Sequence, residues 1–156
     1  MKVTDILRRE FIVAELKADK KEGIINELVN LFENDSRIVD IEKVRSSVLE
    51  REKIMSTGVG KGFAIPHGKT NAISETIAAF GKTSSPIEYQ SLDNKPVNLV
   101  FLLVGKDNLV STHIKLLSRI SRMMNKDEFR EKLLGANSSE EIFDLFKKEE
   151  ESYFEV

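Results

Sequence analysis

Two rhythms of apolar and polar residues divide this chain. Apolar runs at residues 11–16, 63–65, 76–81 and 97–104 are short and bounded by turn formers, so they read as strands. The last of them, Val97-Asn98-Leu99-Val100-Phe101-Leu102-Leu103-Val104, is almost unbroken. A strand with no polar face has to be covered on both sides, which predicts a central position between two helical layers. The other rhythm is helical. Ile24, Ile25, Leu28, Leu31 and Phe32 follow Asp19 and Glu22, a spacing that predicts a capped helix start. After the break Asn34-Asp35-Ser36, Asp40 is placed to cap a second helix that turns Val44, Val48 and Leu49 inward and ends near Arg51. A third helix, over about residues 109–124, sets His113, Leu116, Leu117, Ile120 and Met124 on one inward stripe. Two shorter helices follow, one over residues 127–134 closed by Gly135 and one opened by Ser138-Ser139-Glu140-Glu141. Ser84-Ser85-Pro86 and Asp93-Asn94-Lys95-Pro96 read as loops, and residues 147–151 as solvated charge that frays. Strands alternating with helices predict an α/β sandwich occupying residues 1–156 as one domain.

Composition narrows the chemistry. At 156 residues, with 40% hydrophobic and 32% charged residues and a net charge of −2, the chain has the make-up of a soluble globular protein and no electrostatic case for binding nucleic acid. Nowhere do enough apolar residues run together to insert into a membrane, and the first ten residues lack a signal-type apolar stretch, which predicts a cytoplasmic protein. Cysteine is absent, so disulfides and thiolate nucleophiles are excluded and histidine becomes the strongest nucleophile available. With only two histidines, His67 and His113, a zinc site would need acids from unrelated positions, and neither a metal nor a cofactor is expected. Glutamine is nearly absent while Lys and Glu abound, a bias found in proteins of hot environments.

The richest segment is Thr57-Gly58-Val59-Gly60-Lys61-Gly62-Phe63-Ala64-Ile65-Pro66-His67-Gly68, which sets one of the histidines behind three alternating glycines and a proline. Glycines at alternate positions free backbone amides to face an anion, and Pro66 stiffens the chain just before the reactive side chain, so the loop is expected to hold phosphate beside His67. No Lys-Ser/Thr pair follows Gly62 and no helical run opens there, which excludes mononucleotide and dinucleotide loops. The run from Thr57 to His67 resembles the phosphorylation motif of fructose/mannitol-type enzyme IIA proteins of the bacterial sugar phosphotransferase system, a family that includes nitrogen-regulatory IIA proteins. Leu49-Glu50-Arg51-Glu52 and Thr112-His113-Ile114-Lys115-Leu116-Leu117 extend the likeness, with Arg51 lying 16 residues before His67 and His113 lying 46 after it. The resemblance implies a mixed sheet of about five strands flanked by helices on both faces. It also implies His67 as the phosphorylated nucleophile, His113 as an assisting residue and Arg51 as the group that stabilises phosphate. The implied partners are the phosphocarrier HPr as donor and a IIB domain, through its cysteine, as acceptor. Where the family more often has Ile or Val, this chain has Phe63, a change expected to touch partner-surface shape; Val59, Phe63, Ile65, Leu109 and Val110 are expected to offer an apolar docking surface, unless Phe63 and Ile65 are simply strand core.

Imidazole suits reversible phosphoryl transfer because it is largely neutral near pH 7 and leaves readily from a phosphoramidate. A loose in-line transition state asks mainly for positioning and for neutralisation of the equatorial oxygens, the role expected of Arg51. Two functions share this chemistry: sugar transport through a IIB acceptor, and regulation in which the phosphorylation state of His67 selects partners. A histidine-dependent hydrolase would also need a general acid, which the motif does not supply.

Overall fold

A computed structural model describes residues 1–154 and builds them around one six-stranded mixed sheet. The strands are β1 (Ile12–Leu16), β2 (Gly58–Gly60), β3 (Phe63–Ala64), β4 (His67–Thr70), β5 (Ile77–Ile87) and β6 (Val97–Lys106). The helices are α1 (Val3–Ile6), α2 (Lys21–Asn30), α3 (Ile41–Ile54), α4 (Val110–Met124), α5 (Asp127–Gly135) and α6 (Ser139–Phe154). β6 is central, as its apolar run predicts. β5 lies antiparallel on one side of it and β1 runs parallel to β5 beyond. On its other side β3 and then β4 pair with it in parallel, Phe63 opposite Leu99 and His67 opposite Leu103. There are six strands because the glycine-rich segment folds into the hairpin β2–β3 and the chain resumes pairing after Pro66 as β4.

Side chains of β6 alternate between two cores. Leu99, Phe101 and Leu103 point to the layer of α4, α5 and α6, whereas Val100, Leu102 and Val104 point to α2 and α3. In the first core the ring of Phe146 meets Phe80, Phe101 and Phe129 edge-on at centroid distances of 5.1, 5.6 and 5.1 Å. Truncating Phe101 to Ala there would cost roughly 3–5 kcal/mol. Asp40 caps α3 as expected, its Oδ1 accepting from the amides of Glu42 at 3.1 Å and Lys43 at 3.3 Å.

Three local expectations are corrected. Asp19 does not cap α2, whose first turn follows Lys20; the loop amides of Lys17 and Ala18 are satisfied by the carboxylate of Glu27 instead. Ser84-Ser85-Pro86 is not a loop but the irregular far part of β5, where the register with β6 shifts between Lys82 and Ile87 and Pro86 is accommodated. Residues 147–151 do not fray. Glu150 is 4% exposed and accepts from the amide of Thr4 at 3.1 Å and its Oγ1 at 2.9 Å, while Lys126 pairs with Glu149 at 3.0 Å. The charged end of α6 is therefore tied to α1 through Thr4 and to the start of α5 through Lys126, groups distant in sequence. Among the described residues no helix is long and apolar enough to cross a membrane.

Candidate active site

His67 begins β4, and two contacts define its surroundings. Behind the strand, Gly68 lies so close to α3 that a Cβ on it would stand 2.6 Å from Ser47 Oγ. In front, the pleat turns His67 and Lys69 to the same side as Leu103 and Gly105 of β6, toward α4. His113 comes down from the first turn of α4 onto Gly105, where a Cβ would stand 2.5 Å from its Nδ1. Only a residue without a side chain leaves room for that ring. The two imidazoles meet with centroids 5.7 Å apart.

The hydrogen bonds assign roles to the ring atoms. His67 Nδ1 lies 2.8 Å from the carbonyl oxygen of Ile65. A carbonyl can only accept, so Nδ1 carries the hydrogen and Nε2 keeps its lone pair for chemistry. Burial holds the His67 pKa below the ordinary histidine value; the Ile65 carbonyl and the Glu52 carboxylate oppose this, and the charges of Arg51 and Lys69 add to it. The ring is thus neutral and nucleophilic at pH 7. His113 is pushed down to about 4, first by burial and then by the neighbouring charges of His67 and Lys69. It is 4% exposed, and neither of its ring nitrogens has a hydrogen-bond partner among the described residues. A buried polar atom left unmatched is costly, which leaves His113 with bonding capacity for a group brought up to His67.

Arg51 stands in the last turn of α3, with Nη1 donating to the carbonyl of Met55 at 2.9 Å. Its charge acts on His67, but its guanidinium is anchored to its own helix end and bonds neither ring. Fork geometry leaves four further N–H groups for an oxyanion. The structure thus brings His67 and His113 into contact and sets Arg51 where its charge acts on His67.

The glycine-rich segment behaves differently from expectation. Gly60 pairs with Phe63 around a two-residue turn in which Lys61 (φ 59°) and Gly62 (φ 83°) both take positive φ, as a primed hairpin requires. Two of its amides are occupied: Gly58 N donates to Ser56 Oγ at 3.1 Å and Lys61 N to Asp93 Oδ2 at 3.2 Å. Phe63 and His67 are four residues apart along β6, so the hairpin tip lies more than about 13 Å from the imidazole. The hairpin is scaffold, and the expectation that it cradles phosphate beside His67 is wrong. Phe63 (0% exposed) and Ile65 (7%) are core residues, so they do not shape a partner surface, whereas Val59, Leu109 and Val110 are exposed.

Lys69, Gly105 and Glu52 escaped the sequence reading. Lys69 was findable, since a residue two beyond His67 in a strand shares its face. Gly105 and Glu52 matter only through contacts made across the fold.

The sequence matches the family described as "Phosphoenolpyruvate-dependent sugar phosphotransferase system, EIIA 2" over residues 5–149. It is 36% identical to the fructose-specific EIIA component of Haloferax volcanii, over 93% of this chain and 96% of that protein. It is 34% identical over 95% of its length to the fructose-specific EIIABC component of Bacillus subtilis, spanning 23% of that longer protein. The nitrogen regulatory protein IIA-Ntr of Neisseria meningitidis superposes with a TM-score of 0.86 at 30% identity, covering 92% of this chain and 98% of that one. The fold is shared, at a TM-score of 0.78 and 20% identity over 92% of this chain and 99% of the other, with the Escherichia coli complex of enzyme IIAMTL and phosphorylated enzyme IIBMTL.

Proposed function

The chain belongs to the phosphotransferase-system EIIA 2 family, and from that premise we propose that it carries a phosphoryl group on Nε2 of His67, taken in the cytoplasm from phospho-HPr and passed to the cysteine of a IIB protein or domain. The observation that carries this reading is the bond from His67 Nδ1 to the Ile65 carbonyl, which leaves Nε2 unprotonated beside the unmatched nitrogens of His113.

In the first step the Nε2 lone pair attacks phosphorus in line. The P–N bond of the donor breaks and its electron pair returns to the donor imidazole. The hydrogen on Nδ1 stays in place, so no general base is needed, and the phosphorylated ring becomes cationic with the Ile65 carbonyl accepting from it. That charge makes the imidazole a ready leaving group when the phosphoryl group moves on. His113, neutral at pH 7, donates one ring N–H to an equatorial oxygen, and Arg51 and Lys69 offset the negative charge. In the second step an acceptor thiolate attacks the same phosphorus and Nε2 recovers its lone pair. A IIB acceptor is in keeping with the fold shared with a IIA in complex with phosphorylated IIB.

A second reading, supported by the likeness to IIA-Ntr across 98% of that chain, keeps the chemistry at His67 but uses its phosphorylation state to select partners without moving sugar. Incubation with labelled phospho-HPr tests the common core. The protein is expected to take up an acid-labile, base-stable phosphate, and His67→Ala none; label persisting in His67→Ala would contradict both readings. Onward transfer to a IIB cysteine separates transport from regulation.

A further inference from the structure

Beside the site lies a buried carboxylate that phosphoryl chemistry as described leaves unused. Glu52 is 7% exposed. It accepts from Lys21 Nζ at 2.7 Å, from the amide of Thr57 at 2.9 Å and from Tyr89 Oη at 3.1 Å, and the hydroxyl of Thr57 donates to it as well. Four donors match the four lone-pair sites of a carboxylate, so the charge is fully satisfied. Burial and the neighbouring Glu52 charge hold the Tyr89 pKa well above its ordinary value, which keeps its hydroxyl a donor.

The bonds leading away from Glu52 reach both working side chains. By holding Thr57, Glu52 closes the chain from 52 to 57 around Met55, whose carbonyl anchors Arg51. The carbonyl of Thr57 in turn accepts from the amide of Ile65 at 3.1 Å, and the carbonyl of Ile65 accepts from His67 Nδ1. We infer that Glu52 is a positioning residue for phosphoryl transfer: its clasp on Thr57 fixes the end of α3 so that Arg51 faces the phosphoryl group and the Ile65 carbonyl holds the His67 ring. This rests on the phosphocarrier reading above.

A purely structural role predicts something different. Glu150 provides the comparison, because it is as deeply buried and as fully bonded, to Val3, Thr4 and Arg119, but its bonds tie α6 to α1 and α4 and not to α3 or to the segment from Thr57 to His67. The test measures the rate of label transfer from phospho-HPr in Glu52→Gln, Arg51→Lys, the double variant and Glu150→Gln. Glu52→Gln is expected to slow transfer about tenfold in the otherwise native protein and only about threefold on top of Arg51→Lys, since the part that acts through the fork is then already lost and the part that acts through the His67 ring remains. Glu150→Gln should lower the melting temperature and leave the rate within about twofold. Multiplicative effects in the double variant, or equal slowing by Glu150→Gln, would overturn the proposal. Should Glu52→Gln fail to fold, Thr57→Val removes one donor and enters the same cycle. The Arg51 Nε–H signal in a nitrogen-15 NMR spectrum gives a readout independent of transfer: it should move toward the position of a solvent-exposed arginine in Glu52→Gln and Thr57→Val. An unmoved signal overturns the clasp, whereas a wild-type protein that takes no label, with the signal moving as expected, refutes only the phosphocarrier reading.

Discussion

The two ends of the stretch from Thr57 to Thr70 face opposite demands. At the hairpin end, Gly58 and Lys61 donate to protein oxygens and the carbonyl of Gly62 accepts from the amides of Asn98 and Leu99. At the histidine end, His67 Nε2 is free of the Ile65 carbonyl and both nitrogens of His113 are unmatched among the described residues. Glycine richness therefore marks a tight turn, and unsatisfied polar atoms mark the chemistry. The amides of Gly58 and Lys61 cannot join an anion nest without giving up these bonds.

The contrast is sharpest for acid stability. His113 titrates near 4 when folded and near 6.5 when unfolded. Between those values the unfolded chain binds the extra proton, so stability from this group is intact above about pH 6.5 and is lost as pH falls toward 4, by roughly 3 kcal/mol in total. Below 4 both states are protonated and the loss stops. Chemical denaturation from pH 7 to 4 should show this slope, and His113→Gln should flatten it. The same slope in His113→Gln would place the titrating group elsewhere.

Gly105→Ala attacks the histidine end by geometry. Its new Cβ would fall 2.5 Å from His113 Nδ1 and force the ring aside. Phosphoryl transfer measured by rapid quench is expected to drop about a hundredfold. A rate unchanged in the folded variant would mean that His113 does not touch the phosphoryl group.

Arg51→Lys keeps the charge and loses the fork. Transfer should slow at least about tenfold, or about 1.4 kcal/mol in the transition state, with little change in thermal stability. The smallest effect on function belongs to the hairpin. Gly62 has φ 83° and a Cβ there would meet Asn98 Oδ1 at 3.2 Å, so Gly62→Ala should cost about 1 kcal/mol of stability while the transfer rate stays within about twofold. A hairpin variant that is stable but slow would restore the loop as part of the site.

Much of this was legible in the chain. The unbroken apolar run from Val97 to Val104 dictated a covered central strand, and the stripe on α4 placed His113 inward, because both patterns are local. Asp40 could be read as a cap for the same reason. What escaped depends on partners remote in sequence. The amide of Val3 donates to Glu150 across 147 residues, so nothing near Glu150 separates it from its solvated neighbours. Glu52 lies in a charged run beside Arg51, yet it is buried and pairs with Lys21 from another helix. The glycine loop misled because sequence reveals which amides are unobstructed by side chains and not which are already bonded.

Phosphorus–nitrogen coupling in the protein labelled with nitrogen-15 histidine and phosphorylated by phospho-HPr tests the central claim most directly. The account predicts a single phosphoryl group coupled to Nε2 of His67, with Nδ1 still carrying its hydrogen. Phosphorus on Nδ1 of His67, or on either nitrogen of His113, would contradict it.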